Sequence, residues 1–335
     1  MSNRCDDSEC DKVAMFNKAP LIQRLIALSI RVSETAGSLI RNVLLEGDLA
    51  IVEKGKNDLQ TKADLIAQHC IVRSIIERFP EHKLRIIGEE KYENSDLDSA
   101  TVETDFDTSV FNHRCPEQWA DVNDEQITIW VDPLDGTSEF TQSLTAGMES
   151  LREHVTVLIG IAVGSEPAAG IIHQPFYHRD KQSPPGRTIW GLVGLNEAFG
   201  ANVSQSNRGA NIITTTRSHS NKDVDETIAA MKPSNVIRAG GAGNKVMMVI
   251  EGNAHAYVFA SPGCKKWDTC APEAVLRSIG GTLTDMWGRR IEYHHTVSHP
   301  NSTGVLATSP SIDHQYYVDC VTPRVKESLL NAAKE

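Results

Sequence analysis

Three acidic stretches hold the residue types that could do chemistry in this chain: Gly88-Glu89-Glu90, Asp132-Pro133-Leu134-Asp135-Gly136-Thr137, and Trp267-Asp268-Thr269-Cys270-Ala271-Pro272-Glu273. Each lies beside turn or helix-start residues, so backbone geometry aims the acid. Carboxylates aimed at one point repel. Two like charges at contact distance cost about 1 kcal/mol even in water, and more toward a protein interior. A cation placed among them removes that cost, and oxygen donors without Cys or His favour hard ions of the magnesium type. The proline between Asp132 and Asp135 fixes a turn in which one carboxylate can bridge two cations and the Leu134 carbonyl is a further donor. If a helix starts at Gly136-Thr137, its first N–H groups form a cradle for an anion. The set points to metal-assisted phosphate chemistry. Taken singly, each has a plainer explanation: a surface turn for D-P-x-D-G-T, an N-cap for Asp268, and a strand-end charge for Glu89.

Asn57-Asp58-Leu59-Gln60-Thr61-Lys62-Ala63-Asp64 adds a fourth acid at a helix start. Thr61 or Asp64 would serve as a cap there. The functional alternative is a hydroxyl and a carboxylate that polarise a water, a pair that Thr137 and Asp64 would supply. Gly240-Gly241-Ala242-Gly243-Asn244-Lys245 opens another helix. It matches neither the P-loop order nor G-x-G-x-x-G, but free N–H groups and one lysine suit a second phosphate as well as a tight turn. Thr214 through Asn221 is a polar run after a strand, fit to read an anion or to cap a helix.

Other constellations are weaker. No G-x-S-x-G supports a hydrolase nucleophile. His295 and His299 lack the H-E-x-x-H frame and read as surface residues, and Cys264 and Cys270 lack a matching pair. Lys265-Lys266 reads as a solvated pair near Asp268.

The elements that must position these groups are legible from periodicity. Residues 1–18 read as a disordered tail. Pro20 opens a long helix whose Leu21, Leu25, Leu28, Val32, Ala36, Leu39 and Val43 form one apolar stripe, and Gly47 ends it. A second helix spans about 62–79 before Pro80. Strands are expected at 84–88 and 127–132, delivering Glu89 and Asp132 at their ends, with 91–126 a surface excursion. A hairpin at 155–173 turns around Gly164-Ser165-Glu166-Pro167, and β-rich runs follow at 188–193, 211–215, 256–260, 281–285 and 304–308. Helices are expected at 222–231, 243–252, 270–279 and the C-terminal stretch.

Composition limits the possibilities. The chain has 335 residues and a formal charge of −11, which argues against nucleic-acid binding. Small anionic substrates stay open, because bound divalent ions reverse the local sign. Seven scattered cysteines without C-x-x-C suggest reduced thiols. The polar, acidic start does not resemble a targeting peptide, and no apolar run is long enough for a membrane span. A cytoplasmic location, no membrane or nucleic-acid partner and a monomer are expected.

G-E-E, D-P-L-D-G-T and W-D-x-x-A-P in this order resemble the lithium-sensitive, magnesium-dependent phosphatase superfamily of inositol monophosphatase and fructose-1,6-bisphosphatase. The stretches 47–64, 214–222, 238–245 and 257–272 are similar, more narrowly, to its bisphosphate nucleotidase branch. The resemblance implies a layered αβαβα sandwich (mixed α/β) with an N-terminal lobe at 19–175 and a C-terminal lobe at 176–335. It implies Glu89, Asp132, the Leu134 carbonyl, Asp135 and Asp268 as ligands of two or three Mg²⁺ ions, and Asp64 with Thr137 as the pair that activates the attacking water. Thr216, His219, Gly241 and Lys245 are implied nucleotide contacts, with Gly136, Thr137 and Asp268 also at the substrate. The implied substrate is adenosine 3',5'-bisphosphate, hydrolysed to AMP and phosphate. The resemblance also implies adenylyl-sulfate 3'-phosphate and inositol 1,4-bisphosphate as candidate further substrates, and an inositol polyphosphate 1-phosphatase or monophosphatase is the alternative enzyme. A nucleotide-binding sensor without turnover is disfavoured by the intact Asp64, Thr137 and acids. Two departures stand out. Ser138 replaces the lysine usual in such sequences, and the link from Gln142 to Glu153 is longer, expected as a bulge into solvent.

Overall fold

The computed structural model describes residues 7–55, 58–178, 185–204 and 209–333. Along the chain run α1 (Asp7–Lys18), α2 (Leu21–Glu46), β1 (Val52–Gly55), β2 (Asp58–Gln60), α3 (Lys62–Arg78) and β3 (Arg85–Gly88). Two short helices, α4 (Asn94–Leu97) and α5 (Glu117–Ala120), precede β4 (Ile127–Asp135) and α6 (Thr137–Thr145). Then come β5 (Thr156–Val163), β6 (Glu166–Gln174), β7 (Arg187–Leu192), β8 (Ala198–Phe199), β9 (Ile212–Thr216) and α7 (Lys222–Ala230). The last part holds β10 (Asn235–Ala239), α8 (Ala242–Ile250), β11 (Ala256–Phe259), α9 (Lys266–Ser278), β12 (Thr282–Thr284), β13 (Val305–Thr308), α10 (His314–Cys320) and α11 (Pro323–Ala332).

Six strands pair in the order β3-β4-β5-β6-β7-β8 and five in the order β10-β9-β11-β13-β12. α2 and α3 cover one face of the larger sheet, α8 and α9 lie between the sheets, and α7, α10 and α11 lie beyond the smaller one. This is the expected αβαβα layering. β4 shows why both faces are covered: its nine residues are all buried, Ile127, Ile129 and Val131 against α2 and α3, Trp130 toward α9. That is the period-2 alternation of a strand with two apolar neighbours. The first sheet runs on through β7 and β8, past the expected lobe boundary at 175.

A row of glycines seats α9. Gly160, Gly170 and Gly191 are register partners on β5, β6 and β7. A Cβ at Gly170 would stand 2.1 Å from the Ala271 carbonyl oxygen, and one at Gly160 would stand 2.6 Å from the Cys270 side chain. Only the bare backbone lets the helix lie this close to the sheet, and the helix carries Asp268.

Two expectations are corrected. Residues 7–18 of the expected disordered tail form α1, anchored because Phe16 is buried against Phe79 and Phe106. The 91–126 excursion buries Phe106, Val110 and Trp119, so it is part of the core cover. The 142–153 link finishes α6, leaves residues 145–150 exposed as the expected bulge, and returns through a short 3₁₀ segment at Glu149–His154, with Leu151 buried and Arg152 donating to the Ser143 hydroxyl. The β1–β2 hairpin, β8 and β10 had no periodic signal, being short or exposed. No helix among the described residues is long and apolar enough to cross a membrane. Asn301, which heads a sequon, is buried.

Candidate metal and phosphate site

Asp132 and Asp135 sit where β4 departs from regular pairing with β5, the register shifting between them. This is where the proline turn was expected. Asp268 lies in the first turn of α9, three residues after the Lys265 cap, so it is not itself the N-cap. Ligand atoms of Asp132, Asp135 and Asp268 all lie within 4.8 Å of one another. Residues more than a hundred positions apart thus converge. Burial and the neighbouring acids, Glu89 first, raise Asp132 well above the usual carboxylate range. Burial likewise raises Asp135 to about 6, although Lys245 opposes the shift.

Glu89 follows β3 directly, its N–H donating to the Val131 carbonyl at 3.0 Å. Burial raises its carboxyl to about 8, with Lys54 opposing and Asp268 adding to the shift. Lys54 on β1 reaches it at 3.2 Å and Glu90 at 2.6 Å. Glu90 is buried, held by Gln60 and by an exchange of hydrogen bonds with the Gln68 amide. Lys54, Gln60, Gln68 and Glu90 escaped the sequence reading; the second glutamate of Gly88-Glu89-Glu90 was the one available signal.

Thr61 caps α3 in a capping box with Asp64. One oxygen of Asp64 is thereby occupied by the Thr61 N–H at 2.7 Å and hydroxyl at 2.5 Å. The other accepts from the Thr137 hydroxyl at 3.1 Å, so the expected pair meets. Both readings of Asp64, cap and partner of Thr137, hold at once. Burial raises its carboxyl to about 6 against these hydrogen bonds. Thr137 Oγ1 also lies 3.0 Å from the Leu134 carbonyl, a second acceptor for the same proton.

Gly136, at φ 91°, is the N-cap of α6 and brings no side chain over the first turn of that helix. The second glycine turn differs from expectation. The Ala242 and Gly243 N–H groups, at the start of α8, donate to the two oxygens of Asp135 at 2.7 and 2.8 Å, and Thr156 donates at 2.7 Å. The amides expected for a second phosphate therefore orient a carboxylate. Lys245 is buried, donates to the Gly241 carbonyl at 2.5 Å and sits 5.2 Å from the Tyr257 ring centre. Thr216 ends β9, and its hydroxyl accepts from the His219 N–H at 3.0 Å. Lys266 is not solvated: it is buried and bonded to Asn301 and Pro300.

One cavity is lined by Glu89, Asp135, Gly136, Thr137, Thr216, His219, Gly241, Lys245 and Asp268. Glu139, Tyr257 and Phe259 also line it and were not anticipated. The donor set fits a hard divalent cation: clustered carboxylates, two of them buried, whose raised affinity for protons registers an unmet need for positive charge.

Comparison with known proteins agrees with the architecture. The model of the inositol monophosphatase family matches residues 21–324. The chain is 48% identical to 3'(2'),5'-bisphosphate nucleotidase 1 of Homo sapiens over 321 residues, 95% of this chain and 99% of that protein. It is 35% identical to the protein of the same name in Dictyostelium discoideum over 315 residues, 91% of this chain and 98% of that one. The crystal structure of extragenic suppressor protein suhB from Bartonella henselae shares the fold, with a TM-score of 0.62 at 19% identity, covering 88% of this chain and 97% of that one.

Proposed function

The chain belongs to the inositol monophosphatase family, and from that premise we propose that it is a metal-dependent phosphatase removing the 3'-phosphate of adenosine 3',5'-bisphosphate to give AMP and phosphate. The observation that carries this reading is the single cavity that joins an acidic cluster and a helix-start phosphate turn to a second polar set, Thr216, His219 and Lys245. A substrate with two phosphates would place its second one against that polar set. The likeness to bisphosphate nucleotidases in two organisms supports the same substrate class.

Glu89, Asp132, the Leu134 carbonyl, Asp135 and Asp268 would hold two or three Mg²⁺ ions. Bound there, such ions supply Lewis acidity toward the phosphoryl oxygens and the attacking water. The chain's own residues do the rest. Gly136 and the first turn of α6 present N–H groups to the phosphoryl oxygens. Asp64, fixed by Thr61, accepts the Thr137 hydroxyl proton at Oδ1, which leaves a lone pair of Oγ1 to take a proton from water. With a carboxyl near 6, Asp64 is ionised and able to accept at neutral pH. Asp135 is held at both oxygens by backbone and Thr156 donors, so it needs no reorganisation during reaction.

The test measures phosphate release from adenosine 3',5'-bisphosphate, inositol 1,4-bisphosphate and inositol 1-phosphate, with Mg²⁺ and with added Li⁺. The highest kcat/KM is expected for the adenosine bisphosphate, dependent on Mg²⁺ and reduced by Li⁺. A preference for inositol 1-phosphate would overturn the reading.

A further inference from the structure

Arg217 stands between the two glycine-rich turns without lining the cavity. Its backbone is fixed on the 214–221 loop, its N–H donating to the Ala239 carbonyl at 3.2 Å. Its side chain reaches α6, where Nη1 lies 3.3 Å from the Glu139 carboxylate and Nη2 donates to the Gln142 amide oxygen at 2.9 Å. Gln142 in turn donates to Ser138 at 2.8 Å, on the phosphate turn. Met148, from the long link, places its sulfur 3.9 Å from the same guanidinium. The 3₁₀ segment ends at His154, whose Nδ1 accepts from the Gly240 N–H at 3.3 Å.

Glu139 is 3% exposed at its side chain and packs where a Cβ on Gly240 would lie, 2.0 Å from its carboxyl carbon. It lines the cavity that must admit phosphate. A buried carboxylate there is unfavourable unless paired, and Arg217 is its cation partner. The fork of Arg217 matches this double acceptor, as one ammonium would not. The tie runs from the first sheet's phosphate turn to the loop of the second sheet that carries Thr216 and His219.

We propose that Arg217, clamped by Glu139 and Gln142, is a positioning residue that holds the Thr216–His219 loop at the distance from the phosphate turn that a second phosphate requires. This rests on the nucleotidase reading above. The residue acts on recognition of the distal phosphate and leaves the reacting phosphoryl group untouched.

The experiment compares steady-state kinetics of the full chain and its R217M, R217K and Q142L variants on adenosine 3',5'-bisphosphate and adenosine 3'-monophosphate, with thermal melts as controls. For R217M, KM for the bisphosphate is expected to rise about tenfold, the scale of one lost charge-assisted hydrogen bond, with kcat within about threefold. KM for the monophosphate should stay within about threefold, R217K should fall between, and Q142L, which removes the amide partner outside the cavity, should repeat the selective loss from the other side of the tie. If R217M and Q142L weaken both esters equally, lower kcat alone, or change neither ester, the proposal is overturned. A wild type that does not distinguish the two esters would overturn the nucleotidase reading itself, and the proposal with it.

Discussion

At one end of the cleft the acids come from the interior: Asp132 and Asp135 from a wholly buried strand, Asp268 from a helix seated on Gly160, Gly170 and Gly191. At the other end Thr216 and His219 stand on a loop tied down by side chains, Arg217 to α6 and Arg238 to the Thr216 carbonyl and Ser220. The first end is positioned by backbone packing, the second by replaceable polar contacts. Reaction chemistry needs like charges held together against repulsion, which only a rigid frame does. Recognition needs the cleft's width set, which a few surface contacts manage and can alter.

The sharpest test of the rigid end removes one acid while keeping its shape. Asp132→Asn or Asp268→Asn should lower turnover by about 10³-fold or more, since lost metal stabilisation of the transition state runs to several kcal/mol. The metal-free melting temperature should hold or rise, because repulsion at the cluster is relieved. Phosphate release and melts with and without Mg²⁺ check both parts. Turnover within tenfold of wild type would break the contrast.

Thr137→Ala probes the proton path. A loss of about 10²- to 10³-fold in kcat is expected, the range for a positioned proton acceptor, with KM little changed. A pure KM effect would mean that Thr137 binds substrate without moving a proton.

Packing beneath the acids is tested at Gly170. Gly170→Ala puts a Cβ 2.1 Å from the Ala271 carbonyl oxygen, and overpacking of this kind costs about 1–3 kcal/mol. The variant should melt earlier and lose kcat together, since α9 must shift and takes Asp268 with it. Wild-type melting would show that the glycine row does not set the helix.

The same helix carries a pH signature away from the metal cluster. Glu273 is buried, with Tyr293 donating to it at 2.7 Å and Arg277 at 3.5 Å. Burial outweighs both and raises its carboxyl to about 7. The native state therefore holds its proton more tightly than the unfolded chain, whose glutamate titrates near its ordinary value of 4.5. The stability contributed is full below that value and is lost as pH rises through 7. Glu273→Gln keeps the acceptor for Tyr293 and removes the titration. It should equal wild type below about pH 4 and exceed it near pH 8 by up to about 3 kcal/mol, the energy of the full shift. Parallel denaturation curves across pH would contradict this.

How much of this was legible depended on the kind of constraint. Long periodic elements such as α2, α3 and β4–β6 were readable because burial imposes a period on the sequence. The acids stood out because proline and glycine flank them. That the first sheet continues past 175 was hidden, because β7 joins it by pairing that leaves no local mark. The role of Ala242 and Gly243 as donors to Asp135 was hidden for the same reason, since it depends on a contact across 107 and 108 residues. Glu139 drew no reading from the sequence, because nothing in its neighbours reveals that Gly240 arrives above it.

The 142–153 link was read as a solvent bulge, and its contact with Arg217 gives the smallest of the expected effects. Met148 is 45% exposed and offers only a thioether sulfur at 3.9 Å. Sulfur is a weak acceptor, and an exposed contact of this kind is worth well under 1 kcal/mol, against roughly 1.5–3 for a hydrogen bond to a charge. Met148→Ala should therefore shift KM for the bisphosphate by about twofold and leave kcat and the melting temperature unchanged. The guanidinium keeps Glu139 and Gln142, so the loop stays in place. A tenfold rise from this one exposed methionine would mean that the recognition end depends on packing by the link. The two ends of the cleft would then differ in depth and no longer in kind.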